Sequence, residues 1–147
     1  MIYLLDVNVL IALIDPAHTF SDLAHDWFAA DEERLWASCP LTQNGAVRIL
    51  GSARYPGGPG GPAGAAELVA GLCAHPRHVF WPDDINLLTH PGLDISMVSA
   101  SGQVTDTYLL ALAVSKGGRL ATLDRRLSVA AVAGGDEGVC LIAAERG

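Results

Sequence analysis

Half of this 147-residue chain is apolar and only 17% is charged, enough hydrophobic material for one compact core without disulfide or metal staples. Acidic residues outnumber basic ones by 16 to 9, giving a formal charge of -7, and that balance works against broad, non-specific affinity for nucleic acid. Cys39, Cys73 and Cys140 form an odd set without paired spacing, so they read as thiols of a reducing compartment and not as a disulfide framework.

No composition shift marks a second domain, and one domain over 1–147 is expected. The apolar N-terminus lacks a basic leader and is broken by Asp6 and Asn8, which argues against a secretory signal. Every apolar run is interrupted before membrane-spanning length. A cytoplasmic protein is the expectation. Against the acidic background the basic features are local: Arg48, Arg54, Arg77, Lys116, Arg119, Arg125 and Arg126.

In chain order, Ile2 to Leu5 is a short apolar strand, and Val7 to Ile14 shifts to helix-compatible residues before stopping at Asp15-Pro16. A second helix follows Ser21, where Ala24, Trp27 and Phe28 share a side. Leu35 to Ser38 reads as a strand, and Pro40 opens a helix to which Leu41, Val47 and Leu50 give an apolar side. Pro56 to Pro62 sustains no regular element, so it is expected as a surface loop before a helix over Ala63 to Leu72. His78 to Trp81 is a strand candidate and Ile85 to Leu88 a short helical piece. From Val104 the spacing places Asp106, Leu109, Leu110 and Ala113 on one helix face. Arg119 to Leu123 is a strand, Ser128 to Val132 a short helix, and Val139 to Ile142 a last strand after the Gly134-Gly135 turn.

Short, non-alternating apolar strands separated by helices predict an α/β fold with a mostly parallel sheet covered on both faces. In such folds the crevice beyond the carboxyl ends of the strands is the natural site, and Asp6 and Asp124 both fall at such ends. Asp106, at a helix start, completes the constellation. Each acid also has a structural explanation: Asp6 as a helix cap, Asp106 as a first-turn residue, Asp124 as a turn former. Gathered together, however, three carboxylates repel strongly unless protons or cations intervene. All-oxygen ligands favour Mg²⁺ or Mn²⁺ over zinc. The cysteines and His18, His25, His75, His78 and His90 offer no compact zinc pattern. Gly57 to Gly61 lacks the Lys-Ser/Thr ending of a phosphate loop, and Ser38, Ser52 and Ser101 sit in no nucleophile elbow.

Four segments carry a family resemblance spread over nearly the whole chain: Tyr3-Leu4-Leu5-Asp6-Val7-Asn8-Val9-Leu10, Leu41-Thr42-Gln43-Asn44-Gly45-Ala46-Val47-Arg48-Ile49-Leu50, Val104-Thr105-Asp106-Thr107-Tyr108-Leu109-Leu110-Ala111-Leu112-Ala113, and Leu120-Ala121-Thr122-Leu123-Asp124. Singly weak, in this order and spacing they resemble PIN-domain ribonucleases, and within that group the VapC toxins of bacterial toxin-antitoxin pairs. The resemblance implies a three-layer α/β/α fold, Mg²⁺- or Mn²⁺-dependent endoribonuclease activity, frequent homodimers, and a small VapB-like antitoxin whose tail covers the active site.

The resemblance further implies that Asp6, Asp106 and Asp124 hold the metal, with Asn8 and Thr122 in supporting roles. One position departs from the family pattern. Where the family commonly carries Glu, three residues before the matching Arg, this chain has Gly45. Asn44 beside it can offer an oxygen but not the missing charge. Arg48 is a candidate phosphate contact or ion-pair partner for a site acid, with a plain surface charge as the alternative. Arg125 and Arg126 are candidates for the RNA backbone, and solvated surface charge explains them equally well. Trp36, Phe80 and Trp81 are expected in core packing, and Trp27 and Phe28 in either an internal seam or a subunit contact. Two other functions stay open: a PIN-fold nuclease of RNA processing or acting on DNA, and a non-enzymatic PIN-like binding module.

Overall fold

Apolar runs of three or four residues build five strands that all run the same way. The computed structural model describes residues 1–144, so the last three positions of the expected domain lie outside the described residues. The elements are β1 (Ile2–Leu5), α1 (Val7–Ile14), α2 (Ser21–Ala29), β2 (Leu35–Ser38), α3 (Pro40–Leu50), α4 (Pro62–Cys73), β3 (His78–Phe80), α5 (Val104–Ser115), β4 (Arg119–Thr122) and β5 (Val139–Leu141), with two short 3₁₀ turns at Ile95–Met97 and Ser101–Gln103. The strands form one parallel sheet in the order β3-β2-β1-β4-β5.

Side-chain alternation along each strand splits the interior into two cores. Leu5, Trp36 and Ala121 face the helices α1 to α4, where Val9, Leu10, Ala24, Ala46, Leu50 and Val69 are buried. Their neighbours Leu4, Ala37 and Leu120 face the other way, against Leu109, Leu110, Leu112 and Ala113 of α5. This is the expected three-layer α/β/α architecture. Because both faces of the sheet are covered, its strands read as continuous apolar runs.

The chain builds outward from β1 to β2 and β3, then crosses back to place β4 on the other side of β1. That reversal opens a crevice between the ends of β1 and β4, the topological switch point where ligands of parallel sheets bind. The backbone N–H of Asp6 donates to the carbonyl of Ala121 at 3.0 Å, which ties the two strand ends together.

Two expected helices do not form. Over Ile85–Leu88 the Asn86 side chain accepts from the Leu88 N–H at 2.8 Å, and Thr89 and His90 donate to the Asn86 carbonyl, so the segment closes as a turn. An Asn side chain competes with the helical backbone for these donors. Over Ser128–Val132 the chain stays irregular because its backbone has a distant partner. Val132 forms an antiparallel bridge with Leu93, and Asp94 donates to the Ala131 carbonyl at 2.8 Å. Gly134, at φ 75°, then turns the chain toward β5.

The aromatic expectations divide. Trp36 and Trp81 are buried, whereas Phe80, the last residue of the edge strand β3, is 53% exposed. Trp27 and Phe28 form an internal seam: Trp27 meets Tyr3 edge to face at 5.4 Å, Phe28 meets Trp36 at 5.9 Å, and the Arg34 guanidinium lies 4.1 Å from the Trp27 ring. Cys39 is buried, its thiol pushed up to about 11 by desolvation, and all three cysteines are free. Among the described residues no helix is long and apolar enough to cross a membrane.

Candidate active site

The crevice at the switch point encloses about 620 Å³, and Asp6, Asn8, Asn44, Gly45, Arg48, Asp106 and Asp124 all line it. Residues from four separate stretches of sequence therefore meet. Asp6 arrives at the end of β1 as the N-cap of α1, its Oδ1 accepting from the Val7 N–H at 2.8 Å. Thr122, fully buried at the end of β4, donates from Oγ1 to Asp6 Oδ2 at 3.0 Å. The same Thr122 oxygen accepts from the Asp124 N–H at 3.0 Å, so one hydroxyl holds both strand-end acids. Asp124 in turn accepts from the Arg126 N–H at 2.8 Å.

The structural explanations for these acids thus hold in part, for Asp6 is a cap and Asp124 forms a turn. Neither bond exhausts a carboxylate, since two oxygens carry about four acceptor sites. Asp106, in the first turn of α5, makes no side-chain hydrogen bond among the described residues.

Crowding shows in the electrostatics. Burial raises the Asp6 carboxyl above its ordinary range, against the lowering effect of the Thr122 and Val7 bonds, and nearby Asp124 raises it further. Asp106 is pushed up to about 6, first by desolvation and then by the charges of Asp6 and Asp124. A buried and a half-buried acid whose ionisation is disfavoured, beside a third carboxylate, form a site short of positive charge. Among the described residues no three His, Cys, Asp or Glu side chains close into a ready-made cage, and the acids line an open crevice instead. The donor chemistry is nonetheless that of a hard divalent cation, carboxylate and amide oxygen with no nitrogen or sulfur ligand in the lining.

The basic candidates separate. Arg48 lines the crevice and is exposed, and among the described residues it pairs with no acid; the one ion pair there is Lys116–Asp84, neither of which lines the crevice. Arg125 and Arg126 are exposed beside Asp124 and do not line the crevice.

Gly45 has a structural counterpart that the sequence concealed. A Cβ added there would stand 2.9 Å from Val7 Cγ2, closer than real Cβ contacts allow. Val7, the residue after the first acid, therefore occupies the space that a side chain at 45 would need. The other feature beyond reach of the sequence is the Thr122 bond to Asp6, which spans 116 positions. Its only local trace is a hydroxyl residue two places before Asp124.

Comparison with known proteins gives the family. A PIN domain family model matches residues 3–133. Ribonuclease VapC44 of Mycobacterium tuberculosis is 44% identical over 131 residues, covering 89% of this chain and 92% of the relative. Ribonuclease VapC39 of the same organism is 41% identical over 134 residues, covering 91% and 96%. The solved structure of M. tuberculosis VapC20, a sarcin-ricin loop cleaving toxin, superposes with a TM-score of 0.60 at 12% identity, covering 89% of this chain and 96% of that one. That of VapBC2 from Rickettsia felis, bound to a promoter DNA fragment, gives 0.57 at 12% identity over 84% and 89%. The chain belongs to the PIN domain family and, within it, to the VapC group of ribonucleases. Nuclease activity comes with that membership.

Proposed function

We propose that this chain, as a single PIN domain over 1–147, is the toxin of a toxin-antitoxin pair: an endoribonuclease that uses Mg²⁺ or Mn²⁺ to hydrolyse RNA phosphodiester bonds. The observation that carries the reading is the meeting of Asp6, Asp106 and Asp124 in one crevice, where burial first and then the charges of Asp6 and Asp124 lift Asp106 to about 6. A divalent cation relieves that repulsion, and when bound it supplies charge neutralisation at the scissile phosphate and acidifies water for in-line attack.

The chain's own residues do the rest. Thr122 holds the Asp6 carboxylate in place and fixes the backbone before Asp124, so both acids are oriented before substrate arrives. Asp6, Asp106 and Asp124 are the metal-holding groups, with Asn8 and Asn44 as neutral oxygen donors at the rim. Neither amide replaces the charge missing at Gly45. Arg48 is free to fork onto a phosphate oxygen, bringing positive charge to an otherwise acidic wall. Arg125 and Arg126 are placed to meet the strand as it leaves the site. The partner is a VapB-like antitoxin, by likeness to the VapBC2 pair, and the working assembly is a homodimer in the cytoplasm.

The test is cleavage by purified, antitoxin-free protein of RNA and DNA oligonucleotides in Mg²⁺, Mn²⁺ or EDTA. RNA is cut with either metal and spared in EDTA, and Asp6→Asn nearly abolishes cutting while the far-UV circular dichroism stays that of the parent. Undiminished cleavage by Asp6→Asn, or in EDTA, would falsify the assignment.

A further inference from the structure

Beside the acidic crevice lies a larger hollow of about 820 Å³ between α3 and α4, walled by Gln43, Asn44, Val69, Ala70, Cys73 and Asp83. The two spaces share Leu41, Asn44 and Val47 as lining, so a chain lying in one continues into the other. Among the described residues the hollow is lined by no basic side chain, and it carries Asp83. A phosphate or an acidic peptide is therefore repelled, and a neutral group is admitted.

The polar wall is organised from behind. Ser38 is fully buried, with its Oγ 2.7 Å from His78 Nε2. Burial first, with the neighbouring His75 and against the raising effect of a bond to the Cys73 backbone, holds the His78 imidazole below its ordinary value, and in the tautomer protonated at Nδ1 the Ser38 hydroxyl donates to Nε2. Ser38 Oγ then accepts from Gln43 Nε2 at 2.9 Å. With its amide nitrogen committed inward, Gln43 retains Oε1, which takes no hydrogen bond among the described residues. Asp83 likewise spends Oδ2 on the Leu41 N–H at 3.0 Å and keeps Oδ1. The wall thus offers acceptors above an apolar floor formed by Val69 and the small side chains of α4.

A flat, neutral group with hydrogen-bond donors along one edge fits such a wall. In RNA that group is a base splayed from the strand, and guanine, with N1–H and N2–H₂ adjacent, presents the best-matched edge, while uracil presents a single N3–H. We propose that the hollow between α3 and α4 is a nucleobase subsite, in which Gln43, positioned by Ser38 and His78, selects a guanine next to the scissile phosphate. The inference rests on the ribonuclease reading and deepens it.

Two measurements test it, one of which needs no catalysis. In the metal-free protein, GMP shifts the NMR signals of the Gln43 side-chain amide and binds on the order of tenfold more tightly than UMP, the discrimination expected of one paired edge. In Mn²⁺, short single-stranded RNAs differing at one base beside the cut show a kcat/KM ratio for guanine over uracil of the same order, and inosine, which lacks the N2 amino group, falls between. Gln43→Leu removes the acceptor, and Ala70→Phe fills the hollow from an exposed position of α4 where folding is not at stake. In both, the guanine-to-uracil ratio falls to about one. Ser38→Ala, which releases Gln43, lowers the ratio, and Ser38→Thr, which keeps the hydroxyl, restores it.

A parent enzyme that cuts without regard to base, a ratio unchanged in Gln43→Leu and Ala70→Phe, or GMP and UMP binding equally overturns the subsite. So does a hollow that binds a peptide segment while ignoring nucleotides. Failure of the underlying reading looks different: no RNA is cut by the parent, whereas the nucleotide titration still reports on the hollow.

Discussion

Replacing Asp106 by Asn should make the metal-free protein more stable while ending its cleavage. The folded state holds Asp106 at about 6 against an ordinary 3.8, because burial and the charges of Asp6 and Asp124 disfavour its ionisation. The folded protein therefore binds that proton more tightly than the unfolded chain, and stability falls as pH rises between these two values. Above about pH 6 the full penalty is present; below about pH 3.8 it has vanished. At about 1.4 kcal/mol per pH unit the ceiling is about 3 kcal/mol, and solvent screening of a half-buried group reduces it to about 1.5 kcal/mol. Asn keeps the shape and removes the charge, so in EDTA at pH 7.5 its Tm should exceed the parent's by about 3 to 6 °C for a chain of this size. The gain should shrink as pH approaches 4, and saturating Mn²⁺ should stabilise the parent more than the variant. Differential scanning fluorimetry with and without EDTA reads all three. A variant no more stable than the parent at pH 7.5 would show that burial and the neighbouring acids do not disfavour the Asp106 charge.

Thr122→Val removes the hydroxyl that serves both strand-end acids and leaves the part-buried Asp124 N–H and a buried Asp6 carboxylate oxygen short of a partner. A loss of about 1–3 kcal/mol by urea melts is expected, with roughly 10- to 100-fold weaker Mn²⁺ binding by calorimetry, and Thr122→Ser should recover most of both. Gly45→Glu adds a fourth acid but drives Cβ into Val7, 2.9 Å from Cγ2. Alone it should cost about 1–3 kcal/mol, and only with Val7→Ala should the stability return and Mn²⁺ affinity exceed the parent's. Arg48→Ala should raise KM for RNA and flatten the salt dependence of binding by about one phosphate contact, with no change in Tm beyond a few tenths of a degree, since its side chain is exposed and pairs with no acid among the described residues.

The sheet was legible because parallel strands covered on both faces leave unbroken apolar runs. Ile2–Leu5, Leu35–Ser38 and Arg119–Thr122 each stop at a polar or turn residue where the backbone leaves the sheet. Helices α1, α3 and α5 followed from spacing and from Pro40 at a helix start. The two helices wrongly expected failed for reasons that short-range patterns do not contain. Asn86 turned its side chain onto its own backbone, and residues 131–133 found partners at 92–94, some forty positions back.

Legibility of the site divides along the same line. Asp6 and Asp124 stand where strands end, and any parallel sheet aims such ends at its crevice, so their place could be read without knowing what touches them. The contacts that tune them could not. Thr122 reaches Asp6 only because β4 lies beside β1, an adjacency set by the return crossover through α5. Ser38 reaches His78 only because β3 is laid against β2. The pairing of Val7 with Gly45 belongs to the same class. A side chain lost from the middle helix is matched by bulk on the first, so the departure at 45 is a substitution of packing as well as of charge. Restoring the carboxylate therefore requires two changes, and the single and double variants separate the two effects. If Gly45→Glu alone bound Mn²⁺ more tightly with unchanged stability, Val7 would be yielding freely, and no steric conflict between positions 7 and 45 would exist.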